Sequence, residues 1–184
     1  MKFGGSSLAS AEQFAKVRDI ILADAERRFV VPSAPGKRFP EDTKVTDMLY
    51  ECYHMAESGQ DFHRLLSEIA ARYQEIIEGL SLSLSLKEEF ETIERNFNEK
   101  AGENYAASRG EYLNSIIMAA YLDFQFVDAA EVIRFTDDGD FDAELTNRIL
   151  RERLETTDRA VIPGFYGAYG DGRIKTFSRG GSDI

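Results

Sequence analysis

The chain has 184 residues, 43% of them apolar, and a formal net charge of −11. That length and apolar share suit one domain with a real core and are too little for two of ordinary size. The acidic balance argues against a nucleic-acid surface, because phosphate backbones select basic patches and this sequence has no basic run of any length.

The chain opens on Lys2-Phe3-Gly4-Gly5-Ser6-Ser7, a charged side chain joined to a glycine pair and hydroxyls. Glycines let backbone N–H groups turn toward an anion, and the lysine supplies full positive charge. Phe14, Val17, Ile20 and Ile21 recur at helical spacing behind Ser7 and Ser10, so a helix is expected to begin near Ser10 and end before Arg28. The glycine loop therefore leads toward a helix N-terminus, whose unpaired N–H donors favour an anion. Phe29-Val30-Val31 reads as a short buried strand ending in the turn-prone run Pro32-Ser33-Ala34-Pro35-Gly36.

A polar connection, Lys37 to Lys44, precedes a helix expected to start near Thr46. Within it Cys52, the only cysteine, has no partner for an internal disulfide and reads as a structural thiol rather than a nucleophile, with His54 on another face. His54 and His63 are too sparsely accompanied to suggest a zinc site. Phe62, Leu65, Leu66, Ile69, Tyr73, Ile76, Ile77 and Leu80 form one helical stripe. Ser81 to Leu86 alternates like a strand, but Ser85 and Glu88 have capping-box spacing ahead of Phe90, Ile93 and Phe97, which makes the segment a helix connection. The acid-rich helices over about 46–103 are expected to form an antiparallel excursion standing off a sheet.

A helix from about Tyr105 carries Tyr112-Leu113, Ile116-Ile117 and Ala120-Tyr121 on one face. Phe124 to Val127 and Glu131 to Phe135 are expected strands, Phe141 to Leu154 a helix, and Ala160-Val161-Ile162 a buried strand before Pro163-Gly164. Alternation of this kind predicts an α/β fold with a mainly parallel sheet and ligands at the carboxyl ends of its strands. The sequence shows no apolar leader and no membrane-length apolar run, so a cytoplasmic protein without a membrane partner is the expectation.

A second glycine motif, Ser178-Arg179-Gly180-Gly181-Ser182-Asp183, closes the chain, and neither motif is a Walker A loop. The two resemble the opening and phosphate-loop signatures of the amino-acid kinase family, and within it of the aspartokinases. Val30-Val31-Pro32-Ser33-Ala34-Pro35-Gly36, Gly110-Glu111 and Pro163-Gly164-Phe165 match the same pattern in the expected order. The resemblance departs at Ser178, where a glycine usually precedes the arginine. It implies a three-layer sandwich with a mainly parallel sheet, here the substrate-binding part of the domain over 1–184. A nucleotide-binding remainder and ACT regulatory modules, which no segment here supplies, would belong to the parent enzyme.

The implied reaction moves the γ-phosphoryl of ATP, with Mg²⁺, to the side-chain carboxylate of L-aspartate, the first step toward lysine, threonine and methionine. Since a carboxylate is already nucleophilic at neutral pH, catalysis reduces to aligning two anions and neutralising their repulsion. By resemblance Lys2 meets the transferring phosphoryl and Asp183 orients it. Gly4, Gly5, Ser6, Gly180 and Gly181 wrap phosphate. Arg179 binds a substrate carboxylate with Ser182, Glu111 pairs with the substrate ammonium, and Ser33, Thr46 and Phe165 complete the substrate pocket. No protein metal ligands are expected.

For each residue an ordinary role stands beside this one: Asp183 as an N-cap, Arg179 in a surface ion pair, Glu111 as a first-turn helix glutamate, Phe165 as core. Family enzymes that act on glutamate, acetylglutamate, carbamate or uridylate are near neighbours. A non-catalytic module that binds an amino acid or anion, or simply associates through its helices, is the alternative of another class. The resemblance also implies a homo-oligomeric parent enzyme, and the isolated 184 residues are expected to be inactive.

Overall fold

The computed structural model describes residues 1–177. Four short strands, β1 (Lys2–Phe3), β2 (Phe29–Pro32), β3 (Gln125–Phe126) and β4 (Ala160–Val161), form a parallel sheet in the order β1-β2-β4-β3. Lys2 lies opposite Val31, and Ala160 is flanked by Phe29 and Gln125. Side chains alternate across β2 and β4. Val30 and Val161 enter a large core with the helices α1 (Ala11–Leu22), α2 (Val45–Glu57), α3 (His63–Gly79), α4 (Lys87–Asn98) and α5 (Glu103–Leu122). Phe29 and Ala160 instead meet Ile149, Leu150 and Leu154 of α7 (Ala143–Glu155) on the opposite face. Burial on both faces explains why these strands read as unbroken apolar runs and gives the expected three layers.

The capping chemistry agrees with the sequence at α1, where Ser10 accepts from the Gln13 N–H, and fails at α4. There Leu86 occupies the N-cap and the Ser85 hydroxyl accepts from the Lys87 N–H, so the capping box expected of Ser85 and Glu88 does not form. Helix α5 packs against β2, β3 and β4, and helices α2, α3 and α4 pack on α5. The excursion therefore stands off the sheet by the thickness of one helix while sharing its core. Cys52 is buried within that core, its thiol directed at the Phe62 carbonyl and its pKa pushed up to about 12 by burial. Protonation and burial leave it inert as a nucleophile.

One expected strand is absent. Glu131 to Phe135 begins instead within a short helix, α6 (Ala129–Val132), because Asp128 accepts the Ala130 N–H through its side chain and caps that turn. Only Arg134 and Phe135 make isolated bridges. A hairpin not expected from the sequence, β5 (Tyr166–Ala168) and β6 (Ile174–Thr176), follows β4. Its turn holds Gly172 at φ 87°, and the Asp171-Gly172 pair was the available signal. The hairpin is tied to α5 by Asn104, whose side-chain oxygen accepts from the Thr176 hydroxyl at 2.6 Å. Among the described residues no helix is long and apolar enough to cross a membrane.

Candidate active site

A cavity of ≈ 820 Å³ opens where the chain leaves β1, β2 and β4, lined by Gly5, Ser6, Ser33, Thr46, Glu111 and Phe165 among others. These six were singled out from the sequence, and segments far apart in the chain bring them together. A parallel sheet accounts for the location, since consecutive strands release their loops at the same edge. The loops after β1 and β2 touch through their backbones. The Gly36 N–H donates to the Gly5 carbonyl at 2.9 Å, and a β-carbon on Gly36 would stand 2.7 Å from the Gly5 carbonyl carbon. No side chain fits there, so the glycines are required by this approach.

Glu111 lies well inside α5 rather than in its first turn, which removes the helix-dipole explanation for it. Its Oε2 accepts the Gly164 N–H at 3.0 Å, and the Phe165 N–H and the Ser33 hydroxyl lie close enough to stabilise its ionised form. Burial is the largest influence on this group and pushes it up to about 7, against those three donors and the charge of Lys2. A carboxyl poised near neutrality at the floor of a cleft is well suited to receive a cation. Lys2 itself is exposed on β1 and acts on Glu111 through its charge; Gly4 follows it, with open space where a side chain would stand. Neither lines the cavity directly.

Thr46 keeps its place at the cavity although the seven-residue connection Lys37 to Thr43 intervenes. Arg72 of α3, buried, donates to the carbonyls of Gly36 and Thr43 and pairs with Asp42 at 3.2 Å. Arg38 reinforces Asp42 from outside. These contacts brace the connection, and Lys37 and Lys44 at its two ends join the cavity wall. Asp47 and Tyr50 add to it from α2, and Thr176 and Phe177 from the hairpin. Sequence reasoning passed over these residues. Thr46, Asp47 and Tyr50 share the α2 face opposite the buried Val45, Leu49 and Cys52, and that face was readable.

Arg179, Gly180, Gly181, Ser182 and Asp183 lie outside the described residues. Among the described residues, no group of three or more His, Cys, Asp or Glu side chains is placed to hold a metal ion.

Glycine loops and a buried carboxylate thus meet at the carboxyl edge of a parallel α/β sheet, the edge at which sheets of this kind hold their ligands. The chain belongs to the amino acid kinase family, which matches it over residues 1–184. It is 38% identical over its whole length to aspartokinase 3 of Bacillus subtilis, of which it spans 44%. It is 29% identical to the lysine-sensitive aspartokinase 3 of Escherichia coli, covering 99% of this chain and 43% of that one. Its fold superposes on Clostridium acetobutylicum aspartate kinase with a TM-score of 0.95 at 47% identity, covering 99% of this chain and 42% of the other. Escherichia coli aspartokinase III, solved in complex with aspartate and ADP, gives a TM-score of 0.79 at 27% identity, with 99% and 44% covered. The chain thus spans less than half the length of these relatives.

Proposed function

We propose that this chain is the amino-acid-binding part of an aspartate kinase, which transfers the γ-phosphoryl of ATP to the side-chain carboxylate of L-aspartate and yields 4-phospho-L-aspartate and ADP. The observation that carries the reading is Glu111, a carboxylate held by the loops after β2 and β4 at the floor of a cavity rimmed by the glycine loops. Glu111 would take the substrate ammonium, with Ser33 and Thr46 bonding the amino acid and Phe165 packing beside it. Lys2 would neutralise charge that develops on the transferring phosphoryl. Arg179 and Ser182 would bind the substrate carboxylate, and Asp183 would orient Lys2; these three roles rest on the family resemblance.

Gly4, Gly5 and Ser6, with Gly180 and Gly181, would cradle phosphate oxygens, and the open space above Gly4 fits that use. Bound ATP supplies the phosphoryl group. Mg²⁺ would arrive on the phosphates of the nucleotide and offset their charge. The relatives' remaining length would provide the nucleotide site, and the 184 residues alone are expected to show no turnover. Aspartate and ATP are the proposed partners, within a cytoplasmic homo-oligomer.

The test is hydroxylamine-trapped acyl-phosphate formation by the full-length protein with Mg-ATP and aspartate, beside its Lys2→Ala variant. Product from the first and little from the second supports the assignment. Phosphorylation of glutamate or uridylate instead would keep the fold and overturn the substrate. Aspartate binding without any product would point to a non-catalytic module.

A further inference from the structure

We propose that Asn114 is a positioning residue for this site, fixing the Ser33 main chain so that the Ser33 hydroxyl is presented to Glu111. The inference rests on the aspartate-binding reading above. Asn114 stands three residues beyond Glu111, about one turn along the same face of α5, and is fully buried. Its Nδ2 donates to the Ser33 carbonyl at 2.6 Å.

Ser33 is the residue at which β2 leaves the sheet. Its N–H still reaches back to β1, donating to the Phe3 carbonyl at 2.9 Å, and its carbonyl is taken by Asn114 of α5. Both main-chain groups of Ser33 are therefore held, one from the sheet and one from the helix. With the backbone fixed at both groups, the position and direction of the Ser33 Cβ are fixed as well, and its hydroxyl lies near enough to the Glu111 carboxyl to lower its pKa.

The other end of the Asn114 amide shows that packing does not explain the residue. Among the described residues its Oδ1 is buried without a hydrogen-bond partner. An unpaired buried carbonyl is destabilising, and a leucine of similar volume would avoid it. What leucine could not do is donate to Ser33. Glu111 and Asn114 together thus let a single helix set the position of the β2 loop and, through Gly164, of the β4 loop.

The experiment compares Asn114→Leu, Ser33→Ala and the double variant in the full-length protein. Melting curves establish that each is folded, and Asn114→Ser, whose hydroxyl is too short to reach Ser33, replaces the leucine variant if that one does not fold. The first readout needs no catalysis: the Glu111 carboxyl is titrated by carbon-13 NMR. Loss of the Ser33 hydroxyl from beside the carboxyl raises its pKa, so both single variants shift it upward by the same amount and the double variant shifts it no further. The second readout is kinetic. Each single variant raises KM for aspartate about tenfold, the double variant no more than either, with KM for ATP unchanged. A merely structural role would move both KM values together and add to Ser33→Ala. An unshifted Glu111 titration in folded Asn114→Leu, or additive effects in the double variant, overturns the proposal. If the parent protein neither binds nor phosphorylates aspartate, the functional reading fails and the kinetic role of Asn114 fails with it, while the titration separately decides whether Asn114 acts through Ser33.

Discussion

The Oε2 atom of Glu111 accepts the main-chain N–H of Gly164 at 3.0 Å, joining the middle of α5 to the loop that leaves β4. The bond is made by a carboxyl whose pKa is pushed from an ordinary 4.5 up to about 7, chiefly by burial. Folding then favours the protonated form. Its contribution is fully present below about 4.5 and is lost as the pH rises through 7. With allowance for its partial exposure to the cavity, the loss is on the order of 2 kcal/mol. Melting curves between pH 5 and pH 8 should show this decline in the unliganded protein, superposed on other titrations, and Glu111→Gln should flatten it and be the more stable protein at pH 8. A pH dependence identical in the two proteins would remove Glu111 as its source.

Aspartate binding should expel a proton near neutrality. A substrate ammonium beside Glu111 favours the ionised carboxyl, so its pKa falls on binding. Titration calorimetry at pH 7 in buffers of different ionisation enthalpy should register release of a fraction of a proton, absent in Glu111→Gln. Equal heats in every buffer would separate Glu111 from the ammonium.

Gly164 tolerates no side chain where it stands. A β-carbon there would lie 2.4 Å from Cγ1 of Val31, in the neighbouring strand β2. Gly164→Ala should cost about 1–3 kcal/mol by overpacking and weaken aspartate binding as its N–H leaves Glu111. Adding Val31→Ala makes room, and recovery of binding in the pair, measured beside each single variant, tests the steric cause.

Arg72 braces the connection between Gly36 and Val45 from within the core. Arg72→Met leaves Asp42 with Arg38 alone and strips two carbonyls of a donor, so a loss of about 3 kcal/mol is expected. Asp42 is held below the usual carboxylate range, first by its bond to Arg38, so the variant should retain part of this acid-sensitive stability. Hydrogen exchange should accelerate over residues 37–44 while α5 stays protected. Unchanged exchange in that segment would show that the loop is held by something else.

Much of this site was legible before any coordinates. Ser33, Thr46, Glu111 and Phe165 were marked by motif; parallel topology releases the loops of Ser33 and Phe165 at one edge, and helices α2 and α5 bring Thr46 and Glu111 to the same cavity. What stayed hidden depended on tertiary neighbours. Arg72 reads as one more charge on an amphipathic helix until the Gly36 and Thr43 carbonyls are seen around it. Asn114 carries no sequence signal of its own, since its partner lies 81 residues away. The helix at Ala129–Val132 overrode an apolar strand-like run through one capping aspartate, a local competition that periodicity does not weigh.

The pinning of Gly36 and Val45 separates what can vary from what cannot. Gly36 is bonded to Gly5 and to Arg72, and the Val45 N–H returns to the Pro35 carbonyl at 3.4 Å, so the connection between them starts and finishes at fixed posts. Residues added or removed between those posts need not displace Thr46 or Ser33. The stretch from 37 to 44 is therefore where related proteins can differ in length at little cost to the cavity, and where a designer could graft a new segment beside it without redrawing its walls.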